Sequence, residues 1–159
     1  MILRSIRRCA PYLHFAAVLV AACTAALAAP PAATPAPQPS LYQRLGGYDA
    51  VAAVCDDFIP RLVTDPQLGR FFVGLSKDSG ARIRQHLVDL VCNATGGPCL
   101  YLGRDMKTSH AGLGITASDW NVGVARLKDT LAKFRVPQRE QDELIGVVAT
   151  LQKDIVEKP

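Results

Sequence analysis

From residue 41 onward, apolar residues return at steps of three and four, and no stretch sustains the two-residue alternation of a strand. That period restricts the chain to amphipathic helices packed on one another. A short helix over 40–45 runs into Gly46-Gly47. The next, over about 49–64, sets Val51, Val54, Phe58 and Leu62 on one face, and Pro60 predicts a kink or an early end near Ile59. After a connection at 73–79, a helix over 79–94 carries Ile83, His86, Leu87, Leu90 and Val91 and closes at Gly96-Gly97-Pro98. Residues 98–115 hold Gly103, Gly112 and Gly114 and read as loop. Thr116-Ala117-Ser118-Asp119 has the form of a capping box and opens a helix over 117–134, with Trp120, Val124, Leu127, Leu131 and Phe134 down one side. Val136-Pro137 starts the last helix, over 138–157, where Leu144, Val148, Leu151 and Ile155 repeat the pattern. The expected fold is an all-α domain over 41–159 with four main helices and no internal repeat.

The first 40 residues are a different material. They contain 6 of the 11 prolines but none of the 12 glycines and none of the 14 acidic residues. Arg4, Arg7 and Arg8 precede an apolar run at 10–22, too short for a permanent membrane span, and small residues follow, as in a secretory signal peptide over 1–28. Two exits are written there. Ala26-Leu27-Ala28 is an A-x-A cleavage site, whereas Val20-Ala21-Ala22-Cys23 resembles a lipobox that would lipidate Cys23. Cys9 and His14 fall in the discarded segment on either reading. Residues 29–40, APPAATPAPQPS, favour extended polyproline II and form a tether. The expected location is periplasmic, soluble or lipid-anchored. The net charge of +4 falls to +1 once the leader's three arginines are removed. A nearly neutral domain argues against a nucleic-acid partner, and membrane contact would come only through a lipid on Cys23.

Few residues after the leader carry chemistry. There is no G-x-S-x-G elbow and no glycine-rich phosphate loop. Asp56-Asp57 reads as solvated surface rather than an acid/base pair. Cys55, Cys92 and Cys99 lack zinc-site spacing; Cys92 and Cys99 suit either a disulfide or buried thiols, and Cys55 is left over. The histidines are the exception. His86 and His110 are the only two beyond the leader, His86 within an apolar stripe and His110 in a glycine-broken segment between two helices. A histidine on an apolar face is commonly a core residue, yet neutral imidazole in a helical pocket of Leu, Ile, Val and Phe also suits a haem iron.

On SLYQRLGG (40–47), DDFIPRLVTDPQLGRFF (56–72), ATGGP (94–98) and above all YLGRDMKTSHAGLGIT (101–116), the sequence resembles the group I truncated haemoglobins over nearly all of 40–159. The resemblance implies a two-on-two helical sandwich, the 49–64 and 79–94 helices against the 117–134 and 138–157 helices. It also implies haem b. His110 falls on the proximal position and would bind the iron axially. Phe72 falls on the phenylalanine that packs the haem face, and Met106, Lys107 and Ile115 on pocket or propionate-side positions. Phe58, Ile83, Leu90 and Trp120 complete the expected apolar lining.

On the distal side the sequence departs from that family. The usual tyrosine position is Ile59 and the usual glutamine position is Leu87, so both hydrogen-bond donors to the gas ligand are missing. His86 aligns with a histidine that binds iron as a sixth ligand in some members. It would either ligate the iron or stand off and donate its N–H. The expected function is reversible binding of oxygen, nitric oxide or another diatomic gas. Nitric-oxide dioxygenation would require His86 to replace the lost donor and an external electron donor to support turnover. Two other classes remain: a bis-histidyl electron-transfer or redox-sensing protein, and a haem-free helical scaffold with incidental histidines. No C-x-x-C-H attachment motif occurs, so haem would be held by ligation and packing.

Overall fold

The computed structural model describes residues 38–158. The expected leader with Cys9, His14 and Cys23, the expected cleavage after Ala28 and the expected tether up to residue 37 lie outside the described residues. Among the described residues seven helices follow in order: α1 (Leu41–Arg44), α2 (Gly47–Thr64), α3 (Lys77–Ala94), α4 (Met106–His110), α5 (Ala117–Lys133), α6 (Gln138–Ala149) and α7 (Gln152–Ile155). A single 3-10 turn, Gly69–Phe72, sits between α2 and α3. Among the described residues there is no strand, only one isolated bridge between Thr116 and Lys158.

The starts are set by caps. Ser40 accepts from the Gln43 amide while Gln43 reaches back to the Ser40 amide. Thr116 and Asp119 form the expected box at the head of α5. Ser76 caps α3 and starts it at Lys77, two residues before the sequence expectation, because its hydroxyl takes the Ser79 amide.

Three boundaries differ from the sequence reading. Helix α2 does not end near Ile59 but runs through Pro60 to Thr64. Pro60 and Asp56 both lie on the exposed side, so the Asp56 carbonyl that loses an amide partner faces water rather than core. The segment expected as loop at 98–115 contains α4, capped by Asp105 through the Thr108 amide at 2.8 Å. The helix expected over 138–157 breaks at Thr150. There the Thr150 hydroxyl donates to the Val147 carbonyl at 2.7 Å and tightens the last turn, so α7 sets off separately.

Two apolar clusters hold the helices. Leu41, Leu127, Leu131 and Leu144 bring α1, α5 and α6 together, with Phe58 and Val54 of α2 against them. Val51, Ala52, Cys55 and Val88 join α2 to α3. Val91 packs on both. Phe134, expected on the α5 core face, instead caps the helix and is exposed. The link from α2 to α3 is fastened to α5 by charge. Asp65 pairs with Arg126 at 2.8 Å, and Arg70 of the 3-10 turn pairs with the buried Asp119 at 2.9 Å. The second pair fixes the turn that carries Phe72.

Candidate functional site

His110 is the last residue of α4, and its Nδ1 lies 2.8 Å from the Met106 carbonyl one turn back. A carbonyl only accepts, so Nδ1 carries the proton and Nε2 keeps its lone pair. The imidazole is thereby prepared as a one-sided ligand. Beyond it, Leu113 donates to the His110 carbonyl at 3.2 Å, and Gly112 and Gly114 take the left-handed conformation, with φ of +81° and +67°. Both glycine amides donate to the carboxylate of Glu157, the Gly112 bond measuring 2.6 Å. Those two bonds, with the charge of the neighbouring Lys158, hold the Glu157 carboxyl below its ordinary range.

His86 does not lie in the buried stripe of α3. The side of α3 that packs on α2 is that of the fully buried Val88, flanked by Leu87 and Val91, with the fully buried Cys92 one turn further along. At about 100° per residue, His86 stands roughly 160° around the helix from Val88. The sequence stripe thus merges two faces. One is the core face; the other carries Ile83, His86 and Leu90, with Ile83 and His86 exposed. An exposed face with two aliphatic residues around a histidine is what a helix presents to a flat apolar ligand.

The His86 ring meets the edge of Tyr101, with ring centroids 6.1 Å apart. Sequence reasoning passed over Tyr101, although it opens the most specific segment. Its hydroxyl donates to the Arg104 carbonyl at 2.5 Å, and a Cβ on Gly103 would stand 2.6 Å from the Tyr101 ring carbon Cζ, so any side chain there would push the ring aside. Burial, with the Asp105 charge second, pushes the Tyr101 hydroxyl upward. The loop is anchored two residues earlier. Cys92 and Cys99 form a disulfide, with Cα atoms 5.8 Å apart, and Asn93 donates to the Cys99 carbonyl at 3.0 Å. Among the described residues Cys55 is the free thiol, buried, and pushed up to about 12 by desolvation.

The remaining expected residues divide by surroundings. Ile115 is buried; Phe72, Ile59, Leu87, Leu90, Met106 and Trp120 are half-buried; Lys107 is exposed. Phe58 packs into the helix core. Neither Ile59 nor Leu87 has a side-chain donor, so the nitrogens of His86 are the donors that the expected distal residues offer. In the connections flanking the histidines in sequence, Val73 and Leu102 are 82% and 83% exposed. Asp56 and Asp57 form no acid/base pair: Asp56 binds Arg84 in a fork at 2.7 and 2.9 Å, and Asp57 binds Lys133 and Arg61. Among the described residues no three His, Cys, Asp or Glu side chains gather into a metal-binding group. Each histidine is therefore a lone donor, the number that a porphyrin-held iron takes at an axial position.

The model of the bacterial-like globin family matches residues 40–157. The chain belongs to that family. Within it, this globin is 34% identical over 116 residues to the group 1 truncated hemoglobin GlbN of Mycolicibacterium paratuberculosis, across 73% of this chain and 83% of that protein. It is 33% identical over 139 residues to the group 1 truncated hemoglobin LI410 of Chlamydomonas moewusii, across 84% of this chain and 80% of that one. Among solved structures, the 2/2 hemoglobin of Synechococcus, in the cyanomet state with covalently attached heme, superimposes with a TM-score of 0.67 at 30% identity, covering 74% of this chain and 98% of its own. The globin has the all-α two-on-two helical fold.

Proposed function

We propose that His110 holds the haem iron of this globin through Nε2 and that His86 governs the gas side of the same site. Family membership makes the chain a haem-binding globin with a diatomic gas as ligand. When bound, haem iron supplies the coordination position at which that gas sits. The observation that carries the reading is the 2.8 Å contact of His110 Nδ1 with the Met106 carbonyl, which fixes the tautomer and leaves Nε2 as the ligating atom. Phe72, Met106 and Ile115 contribute the apolar wall beside His110, with Trp120 behind them. Phe58, Ile59, Leu87 and Leu90 with Ile83 supply the other, and Lys107 a cation for a propionate.

His86 acts in one of two ways. Either its own nitrogen takes the sixth position, and gas must displace it, or its N–H donates toward the gas. Its exposed setting beside Tyr101 supports both, since the ring is not committed to a core partner. The gas is oxygen or nitric oxide, and turnover of nitric oxide draws on an external electron donor. The leader pattern and the Cys92–Cys99 disulfide together support a periplasmic location, where oxidising conditions keep such a bond.

The test is the visible spectrum of the reduced, gas-free protein. Sharply split low-spin bands indicate a second histidine on the iron, and His86→Ala turns them into one broad high-spin band. A high-spin wild-type spectrum, with a faster gas off-rate in His86→Ala, indicates the donating arrangement. His86→Ala with unchanged spectrum and off-rate removes His86 from the site, and a His110→Ala protein that keeps the wild-type spectrum removes His110. Should both histidines bind, fast electron self-exchange with poor gas affinity would make the protein an electron carrier.

A further inference from the structure

We infer that Glu157 is a positioning residue for the haem site: its carboxylate locks the turn after His110 and so sets the attitude of the ligating imidazole. The inference rests on His110 being the iron ligand. Helix α4 is five residues long, and a helix of that length is not stable by itself. Something outside it must hold His110 in place. Upstream, Asp105 caps the helix through Thr108; downstream, the turn starts at the His110 carbonyl itself, which takes the Leu113 amide.

Among the described residues the only side chain that hydrogen-bonds to that turn is Glu157, whose two oxygens each take one amide, from Gly112 and from Gly114. The left-handed glycines turn both N–H groups the same way, forming a nest that a carboxylate fills. Main-chain bonds then fasten the strap of residues 157–158 to the chain just past the turn. Glu157 and Lys158 donate to the Ile115 carbonyl at 2.9 and 3.2 Å, and Ala117 donates to the Lys158 carbonyl at 3.1 Å. Helix α7 packs against α4 on the same side. His110 is thus held through its ring by the Met106 carbonyl and, two and four residues on, by the Glu157 carboxylate that fixes the turn leaving it.

The experiment uses the full haem-loaded chain with His86→Ala, so that the reduced iron is five-coordinate and its iron–histidine stretch is visible by resonance Raman. Glu157→Gln leaves one acceptor oxygen and Glu157→Ala leaves none. The expected result is a shifted or broadened stretch in both. Haem transfer to excess apomyoglobin should be faster in Glu157→Ala by about tenfold, the change that one charge-assisted hydrogen bond is worth, and by less in Glu157→Gln. Glu143→Gln, which weakens the distant Arg44 pair, serves as control and should lower melting temperature without moving the band. If Glu157→Gln, and Glu157→Ala where it folds, leave band and haem loss at wild-type values, the inference fails, whatever the melting temperature does. A stretch that survives His110→Ala overturns instead the assignment of His110, a separate result.

Discussion

Asp119 offers the sharpest test of how the fold holds the site. Its carboxylate is almost wholly buried and takes the Thr116 amide at 2.9 Å, the Thr116 hydroxyl at 2.7 Å, Gln67 at 2.8 Å and Arg70 at 2.9 and 3.0 Å. Arg70 is more than half exposed, so water screens most of its attraction. The magnitude comes from the other three bonds, at about 1 kcal/mol each. An asparagine in its place keeps one acceptor oxygen and turns an amide group toward donors, so Asp119→Asn should cost about 2–3 kcal/mol. In a domain of this size that lowers the melting temperature by roughly 10 °C. Thermal unfolding of the apoprotein at pH 7 measures it. Acid provides a second reading. Burial pushes the Asp119 carboxyl up, but the Thr116 amide, Gln67, the Thr116 hydroxyl and the Arg70 charge outweigh it and bring it to about 2, from an ordinary 3.8. A lowered carboxyl stabilises fully above its unfolded value and ceases to do so as pH falls through the folded one. The gap between wild type and Asp119→Asn should therefore be constant above about pH 5 and shrink between about 4 and 2. A gap below about 0.5 kcal/mol at pH 7, well under the worth of a single such bond, or one that widens in acid, would refute the reasoning.

Two other predictions concern the cysteines. Cys99→Ser removes a short covalent loop and should cost about 2 kcal/mol by chain-entropy reasoning. Because it frees the segment that holds Tyr101 against His86, the ligand spectrum should change along with the denaturation midpoint; a shifted midpoint with identical spectra would separate the two. Cys55, buried and with its thiol near 12, should resist iodoacetamide in the native protein at about pH 8 and react at once in guanidinium, as mass spectrometry would record.

Much of the fold is legible because its signals are local. Ser40 with Gln43 and Thr116 with Asp119 declare two helix starts within four residues, and the glycine pair at 96–97 declares a stop. Gly97 is held to that identity by packing, since a Cβ there would fall 2.7 Å from the Cys92 carbonyl and sulfur. What sequence does not disclose is decided at a distance. Pro60 passes through α2 because neighbours on two sides hold the helix and its own side faces water. The α3 stripe divides into two faces only once Val51, Ala52 and Cys55 choose Val88 as partner. Helix α4 is hidden among glycines because its support comes from α7, which lies far along the chain. His110 and His86 were legible as chemistry, being scarce; Tyr101 and Glu157 were not, since a tyrosine in a loop and a glutamate past a helix are ordinary until their partners are known.

The odd thiol has a kinetic consequence for the disulfide. Cys55, Cys92 and Cys99 allow three pairings, and exchange among them proceeds by thiolate attack. With its thiol near 12, Cys55 is ionised in only about one molecule in 10⁵ at pH 7. Cys55 is also buried with Val88 in the α2–α3 interface, where exchange partners in solvent do not reach it. Burial therefore works as a lock on pairing. The link that anchors the Tyr101 loop, once made, is not lost to exchange with Cys55 while α2 and α3 stay together.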